Sequence, residues 1–156
     1  MKFAELFRKW GLTNVRLHFK LADMEFNMVD DDQTAAWEMY VELITRITTQ
    51  PLDYETGDEE AALASIYSLF DITRNILKTK GRQAPSFTKV SIIILNQIIR
   101  PFTAKWHKKK LEGAFSDWGE CDQFRKELKT LQADLRGYAG LLAEMAMVED
   151  LTEIVF

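Results

Sequence analysis

Apolar residues recur every three or four positions along most of the chain, which is the spacing of one face of an α-helix. Helices often end at a glycine or just before a proline, and Gly11, Pro51 and Gly81 follow three of the apolar segments. The pattern predicts about five helices, over residues 3–10, 30–50, 58–81, 88–99 and 121–148. Pro101 lacks an N–H and disfavours helical geometry at Arg100, so we expect it to break or kink the fourth helix.

The C-terminal helix, 121–148, has the most regular pattern. Its apolar seam steps by three and four residues through Cys121, Phe124, Leu128, Leu131, Leu135, Tyr138, Leu142 and Met145. Such a seam packs either against neighbouring helices of a bundle or against a second copy in a coiled-coil dimer. Gly137 and Gly140 lower the intrinsic stability of the helix. They favour the bundle, because a free-standing helix would lack the packing that offsets them.

A different period marks the segment 15–28. Val15, Leu17, Phe19 and Leu21 alternate with polar residues, and the alternation resumes one residue out of phase at Met24. Alternation of this kind is typical of a β-strand with one buried face. We therefore predict a small N-terminal β element: either one bent strand with a bulge or two short strands. A lone strand needs a partner, so it would pair with itself as a ribbon or across a dimer.

Together these patterns predict a mainly α protein, a single helical bundle over residues 1–156. The chain has 156 residues, of which 47% are apolar and 28% charged, as in ordinary globular domains. We see no apolar stretch of bilayer length and no secretory signal, and the one cysteine, Cys121, fits a reducing compartment. We expect a soluble cytoplasmic protein with no membrane contact.

Charge is strongly segregated along the sequence. Residues 72–111 contain ten Lys/Arg and no Asp or Glu, whereas residues 1–71 carry fourteen acids against six bases and residues 112–156 carry ten against four. Segregation of this kind indicates partners rather than fold. The basic segment predicts contact with an acidic protein surface, which a second copy of the chain could supply in a homodimer.

The candidate binding residues lie near the end of the basic segment: Arg100, Lys105, Trp106, His107, Lys108, Lys109 and Lys110. Their mixture of cations and an aromatic ring is also typical of single-stranded nucleic-acid binding, in which bases stack beside the charges. The acidic isoelectric point of about 5.3 argues against a dedicated nucleic-acid module. Simple solvation of a helix end is the third alternative.

Catalytic motifs do not stand out from the sequence. The two histidines have no partners at metal-ligand spacing, and Cys121 falls on the apolar seam, where a cysteine is usually a small core residue. The acidic clusters 30–32 and 53–60 would serve a small metal-dependent enzyme only if the fold brought carboxylates together from different elements. We predict no catalytic residue, no metal and no cofactor.

Two strings carry a resemblance to other proteins. The residues 35–46, AAWEMYVELITR, and 95–107, LNQIIRPFTAKWH, resemble blocks of small or appended all-helical bacterial domains of unassigned function, associated with defence or conflict systems. The resemblance covers roughly residues 30–145 and carries no catalytic residues. It implies a bacterial cytoplasmic protein. With the charge pattern, it leads us to expect a non-enzymatic interaction module or accessory subunit, in the setting of antiphage defence.

Overall fold

Helices make up 69% of residues 1–154, which are the residues that a computed structural model describes. They are α1 (Phe3–Lys9), α2 (Phe19–Ala22), α3 (Asp30–Ile44), α4 (Glu59–Tyr67), α5 (Leu69–Lys80), α6 (Pro85–Ile94), α7 (Arg100–Leu111) and α8 (Trp118–Ala146). A π-helical turn, Leu95–Ile99, joins α6 to α7, and a 3₁₀ turn, Ala114–Ser116, precedes α8. The prediction of a mainly helical protein is confirmed. None of these helices is long and apolar enough to cross a bilayer.

Helices α3 and α8 form the centre of the bundle and make the most extensive contact in it. The apolar seam of α8 is buried from Phe124 to Met145, with only Cys121 at its start partly exposed. On α3 the buried face includes Met39, Tyr40 and Leu43. The seam is thus occupied by the chain's own helices, as the bundle interpretation predicts, and it has no free face for a coiled-coil partner.

A buried carboxylate ties the beginnings of two helices together. Asp32 is fully buried, and one of its oxygens accepts a hydrogen bond from the backbone N–H of Val29 at 3.0 Å, at the start of α3. The other accepts from the N–H of Phe87 at 2.9 Å, in the first turn of α6. Helix N-termini leave backbone N–H groups without partners and carry a partial positive charge. Asp32 therefore satisfies two helix ends at once.

The predicted β element of residues 15–28 is wrong, since the described residues contain no strand. Phe19 to Ala22 form the short helix α2, and Phe19 is 71% exposed instead of facing the core. The only β-like pairing among residues 1–154 is one isolated bridge between Lys2 and Glu25. The predicted pairing across a dimer therefore has no strand to form it.

The backbone at Arg16 finds a partner other than a strand. Its N–H donates to Oε1 of Gln97 at 2.8 Å, and its carbonyl accepts from Nε2 of Gln97 at the same distance. A side-chain amide on the π-turn thus supplies the donor and acceptor that a neighbouring strand would have offered. Val15 and Leu17, on either side of Arg16, are partly buried and pack against the core.

Pro101 does not break the helix, so of the predicted break or kink the break is wrong. Arg100 keeps helical dihedral angles (φ −58°, ψ −45°), and α6 runs through the π-turn into α7. The N–H of Arg100 bonds to the carbonyl of Leu95, five residues back. A proline ring clashes with the carbonyl four residues before it in a regular α-helix. The π-turn before Pro101 is wider than a regular α-helical turn, which gives the proline ring room without ending the helix.

Several helix ends differ from the predicted ones because side chains bond to the backbone. α3 ends at Ile44 rather than near residue 50, since the hydroxyls of Thr48 and Thr49 both donate to the carbonyl of Leu43, at 2.5 and 2.9 Å. The predicted helix 58–81 is divided at Ser68, whose hydroxyl donates to the Ser65 carbonyl at 2.6 Å. The predicted helix 121–148 extends from Trp118 to Ala146.

Candidate interaction surfaces

Helix α7, which carries the predicted binding residues, is held between α4 and α8 by ion pairs. Three of its lysines are paired, Lys105 with Glu127 at 2.6 Å, Lys109 with Glu120 at 2.8 Å and Lys110 with Glu60 at 2.7 Å. Arg74 and Lys80, elsewhere in the basic segment, also have acidic partners within the described residues, Asp71 and Glu38. The chain itself therefore supplies much of the acidic surface that the basic segment was predicted to contact.

Trp106 lies in the core rather than on a binding surface. Its side chain is fully buried, stacked on Phe115 with ring centroids 6.1 Å apart and edge-on to Phe124 at 5.1 Å. A buried indole presents no free face to a nucleobase, so the stacking partner predicted for single-stranded nucleic acid is missing here. Its neighbour His107 packs edge-on against Tyr67, with centroids 4.7 Å apart. Burial, with a smaller contribution from the nearby Lys110 charge, lowers the pKa of His107.

The remaining predicted residues, Arg100 and Lys108, are exposed on the outer side of α7. The Arg100 guanidinium donates to Asn96 Oδ1 at 3.0 Å and lies 4.8 Å from the centre of the Phe70 ring. None of the ion pairs in residues 1–154 involves Lys108. Leu111, three residues further along the same face, is 88% exposed. Lys105 and Lys110 are exposed as well but ion-paired, so this outer side is the exposed part of the predicted site without an ion pair among the described residues.

A cleft that the sequence patterns did not indicate lies where α7 turns into α8. Two largely exposed aromatic side chains, Tyr54 (68%) and Trp118 (77%), face each other edge-on across it with ring centroids 6.4 Å apart. The cleft has a volume of about 290 Å³, and Phe115 also lines it. We call the exposed side chains of Tyr54 and Trp118 at this end of the bundle the apolar corner.

Arg125 fixes one wall of the cleft by holding the loop that carries Tyr54. The guanidinium donates to the backbone carbonyls of Asp53 at 3.0 Å and Gly57 at 2.9 Å, and pairs with Glu59 at 2.9 Å. The same guanidinium lies 5.6 Å from the centre of the Tyr54 ring. These bonds join the loop 52–57 to α8, so the exposed ring is presented from an anchored backbone rather than from a free loop.

The reactive groups near the cleft are poorly suited to nucleophilic chemistry. Burial, and secondarily the neighbouring Glu59, raise the pKa of the Cys121 thiol, which lies 3.4 Å from the Phe115 carbonyl oxygen. A raised pKa lowers the fraction of thiolate, which is the nucleophilic form. Residues 1–154 contain no group of three or more His, Cys, Asp or Glu side chains arranged to hold a metal ion. His18, the other histidine, accepts a bond from the Lys20 N–H at the start of α2.

Sequence reasoning missed Tyr54 and Trp118 because neither belongs to an apolar repeat. Each instead stands beside an acidic residue in a loop or at a helix start, Tyr54 between Asp53 and Glu55 and Trp118 after Asp117. An isolated aromatic among acids was the available signal. No family model, curated protein or solved structure significantly matches this chain.

Proposed function

We propose that this protein is a non-enzymatic interaction module that binds a partner protein through the apolar corner. The observation that supports this most directly is the pair of exposed rings, Tyr54 and Trp118, which face each other edge-on across the cleft at one end of the bundle. Large apolar side chains grouped on a surface commonly mark contact sites. Trp and Tyr are also the residues most often found at the energetic centre of protein interfaces.

The surroundings of the apolar corner suit an interface with a charged rim. The charged residues that line the cleft beside the two rings are Glu59, Asp117, Asp122 and Arg125. The acidic partner surface that we propose would meet cations of the basic segment that no ion pair of the described residues involves, such as Lys78, Lys89 and Lys108. Interface rims are typically polar, and rim charges affect the association rate and its salt dependence more than the final affinity.

The biological setting that we propose comes from the resemblance alone. The two strings at 35–46 and 95–107 resemble blocks of bacterial helical domains associated with defence, so we propose an accessory subunit of a bacterial, antiphage-defence type system. On this proposal, the partner is another component of the same system.

The apolar corner can be tested with a double variant, Tyr54→Ala with Trp118→Ala. The control is Phe19→Ala, which removes an equally exposed ring from α2. Helix α2 packs on α1, and α1 joins the far end of α8 through the Lys9–Glu144 pair, about 39 Å along the helix from Trp118. Each protein is immobilised and exposed to a lysate of the organism that encodes it, and retained proteins are identified by mass spectrometry.

A supporting result has three parts. One protein is retained by the wild type and by the control but not by the double variant. When that protein is purified, its Kd rises about tenfold or more for the double variant, and circular dichroism shows that all three chains are folded. Equal binding by the double variant and the wild type would overturn the proposal, as would a failure of the wild type to retain any specific protein.

A second copy of the chain is the alternative occupant of the apolar corner. Light scattering over a range of protein concentrations separates the two cases, because a corner that binds another copy would give a dimer in the wild type and a monomer in the double variant. A concentration-independent monomer is the result expected for a module that binds a different protein.

A further inference from the structure

A second cleft lies on the opposite flank of α8, between α8 and the junction of the π-turn with α7. Its volume is about 330 Å³. Ile98, Pro101, Phe102 and Leu131 form apolar walls, and the cleft is open to solvent along one side. Because it is lined by Ile98 from the π-turn and by Pro101 just after it, the irregular part of the helix shapes the cleft. Single π-turns within α-helices occur frequently at functional sites.

One carboxylate in this cleft has no partner. Asp134 lines the cleft and is partly buried, yet no hydrogen bond or ion pair of the described residues involves it. Burial raises its pKa, which is the direction expected when a charge loses water without gaining a partner. The other acid of the cleft, Glu127, is already neutralised by Lys105.

The cleft is therefore lined by apolar walls and carries one negative charge, that of Asp134, which no cation of the described residues neutralises. Its charged residues are two carboxylates, Asp134 and Glu127, against one ammonium, Lys105. A partly buried polar group without a partner carries a free-energy cost that a suitable donor would remove. The complementary ligand has an aliphatic stem for the walls and a cation at its end, as a lysine side chain does.

We propose that this cleft binds the side chain of a lysine that a partner protein presents. The methylene groups would pack on Ile98, Pro101 and Leu131, and the ammonium would donate to the Asp134 carboxylate. Because the cleft is open along one side, a free ligand in it would stay partly in water, whereas a residue held by a partner protein also gains from the rest of the contact. The identity of the occupant rests on the proposed function, since it requires a protein partner.

The test uses Nα-acetyl-lysine N-methylamide, a blocked lysine, titrated into the ¹⁵N-labelled full chain and followed by two-dimensional NMR. The neutral analogue Nα-acetyl-norleucine N-methylamide has the aliphatic stem but no charge. Two variants complete the experiment. Asp134→Asn removes the proposed partner of the ammonium, and Asp122→Asn is the matched control, because Asp122 lies on the same helix outside the cleft and pairs with Lys126.

We expect saturable shifts of the amides of Ile98, Phe102 and Asp134 with the blocked lysine. Affinity should fall about tenfold or more both in Asp134→Asn and with the norleucine analogue, because each loses a charge-assisted hydrogen bond. Asp122→Asn should bind as the wild type does. Thermal melting checks the fold of Asp134→Asn, which removes a charge that burial disfavours and should be at least as stable as the wild type.

Three results would overturn the proposal: no saturable shift, equal binding of the norleucine analogue, or undiminished binding by Asp134→Asn. A free diamine, cadaverine, is the competing source of the same chemistry. If cadaverine bound about tenfold more tightly than the blocked lysine, a lysine of a protein would no longer be the occupant. The double variant of the apolar corner should keep lysine binding, so failure of the cleft and failure of the proposed function remain distinguishable.

Discussion

Two polar atoms in the core have no hydrogen-bond partner within residues 1–154. They are the Tyr138 hydroxyl and the Trp106 indole N–H. Burial raises the pKa of Tyr138 far above its ordinary value and so favours the neutral phenol. A neutral donor and acceptor buried without a partner carries its full desolvation cost. The hydroxyl of Tyr138 therefore weakens the fold, whereas the ring to which it is attached fills the α8 seam.

Replacing Tyr138 by phenylalanine should stabilise the protein by about 0.5–1.5 kcal/mol, because the ring is kept and an unsatisfied hydroxyl is removed. The matched control is Tyr40→Phe. The Tyr40 hydroxyl accepts from the Leu151 N–H at 2.6 Å and bonds to Asp150 at 3.2 Å, so its loss should destabilise by about 1–2 kcal/mol. Urea unfolding measures both. A loss of stability in Tyr138→Phe would mean that the hydroxyl has a partner after all.

Two glycines of α8, Gly137 and Gly140, allow another part of the chain to pack closely against the helix. An ideal Cβ on Gly140 would lie 2.3 Å from the Trp10 ring, and one on Gly137 would lie 2.4 Å from the Trp10 carbonyl oxygen. The bare helix backbone thus lets Trp10, which follows α1, approach closely. The indole N–H then bonds to Glu144 at 2.5 Å. The low helix propensity that argued against a free-standing helix is offset by this packing.

We predict that Gly140→Ala destabilises the protein by about 1–3 kcal/mol, even though alanine is the better helix former by about 1 kcal/mol. The added methyl group would displace the Trp10 ring. Gly119→Ala is the control on the same helix, since its Cβ would meet only an Asp117 carboxylate oxygen at 3.6 Å. That change should be neutral or slightly stabilising. Chemical unfolding followed by tryptophan fluorescence measures both, and equal effects of the two variants would contradict the close-packing explanation.

At the scale of the whole molecule, the charge segregation of the sequence is largely resolved inside the fold. Helix α7 carries the cations, and the flanking helices α4 and α8 carry the acids that meet them. The ion pairs are partly exposed, and each such pair contributes little by itself because water and salt screen it. Together they fix the orientation of α7 between its neighbours.

Two triple variants separate ion pairing from net charge. Replacing Lys105, Lys109 and Lys110 by glutamine removes three charges and three ion pairs. Replacing Lys78, Lys89 and Lys108 removes the same charge but none of the ion pairs of the described residues. The first variant should melt a few degrees below the second in low salt, and the difference should shrink in high salt. Equal melting temperatures at low salt would show that the pairs do not stabilise the fold.

The sequence pattern located the helices well but not the segment 15–28. Helical spacing holds for α1, α3 and α8 because each buries one continuous stripe against the core. In 15–28 the alternation also reflects burial, since Val15 and Leu17 are partly buried. Burial of alternate residues does not supply a neighbouring strand, however. In the fold the partner of Arg16 is Gln97, 81 residues away, and no local pattern encodes that contact.

The candidate sites were harder to predict than the helices, because exposure depends on the packing of distant elements. Lys105, Lys109 and Lys110 were identified as a binding surface, but their acids come from α4 and α8. Trp106 looked like a stacking residue beside lysines, yet α8 and the 3₁₀ turn enclose it. Conversely, Tyr54 and Trp118 carry no repeat that marks them, and they are exposed because Arg125 and the end of α7 position them.

The sequence by itself determined the helical class of this protein and the buried seam of α8, because both follow from local spacing and from the cost of exposing apolar side chains. Only the tertiary structure decided which acids neutralise α7 and whether Pro101 breaks its helix. It alone placed the apolar corner and left Asp134 unpaired. These features depend on contacts between residues far apart in the chain, where geometry rather than composition selects the partner.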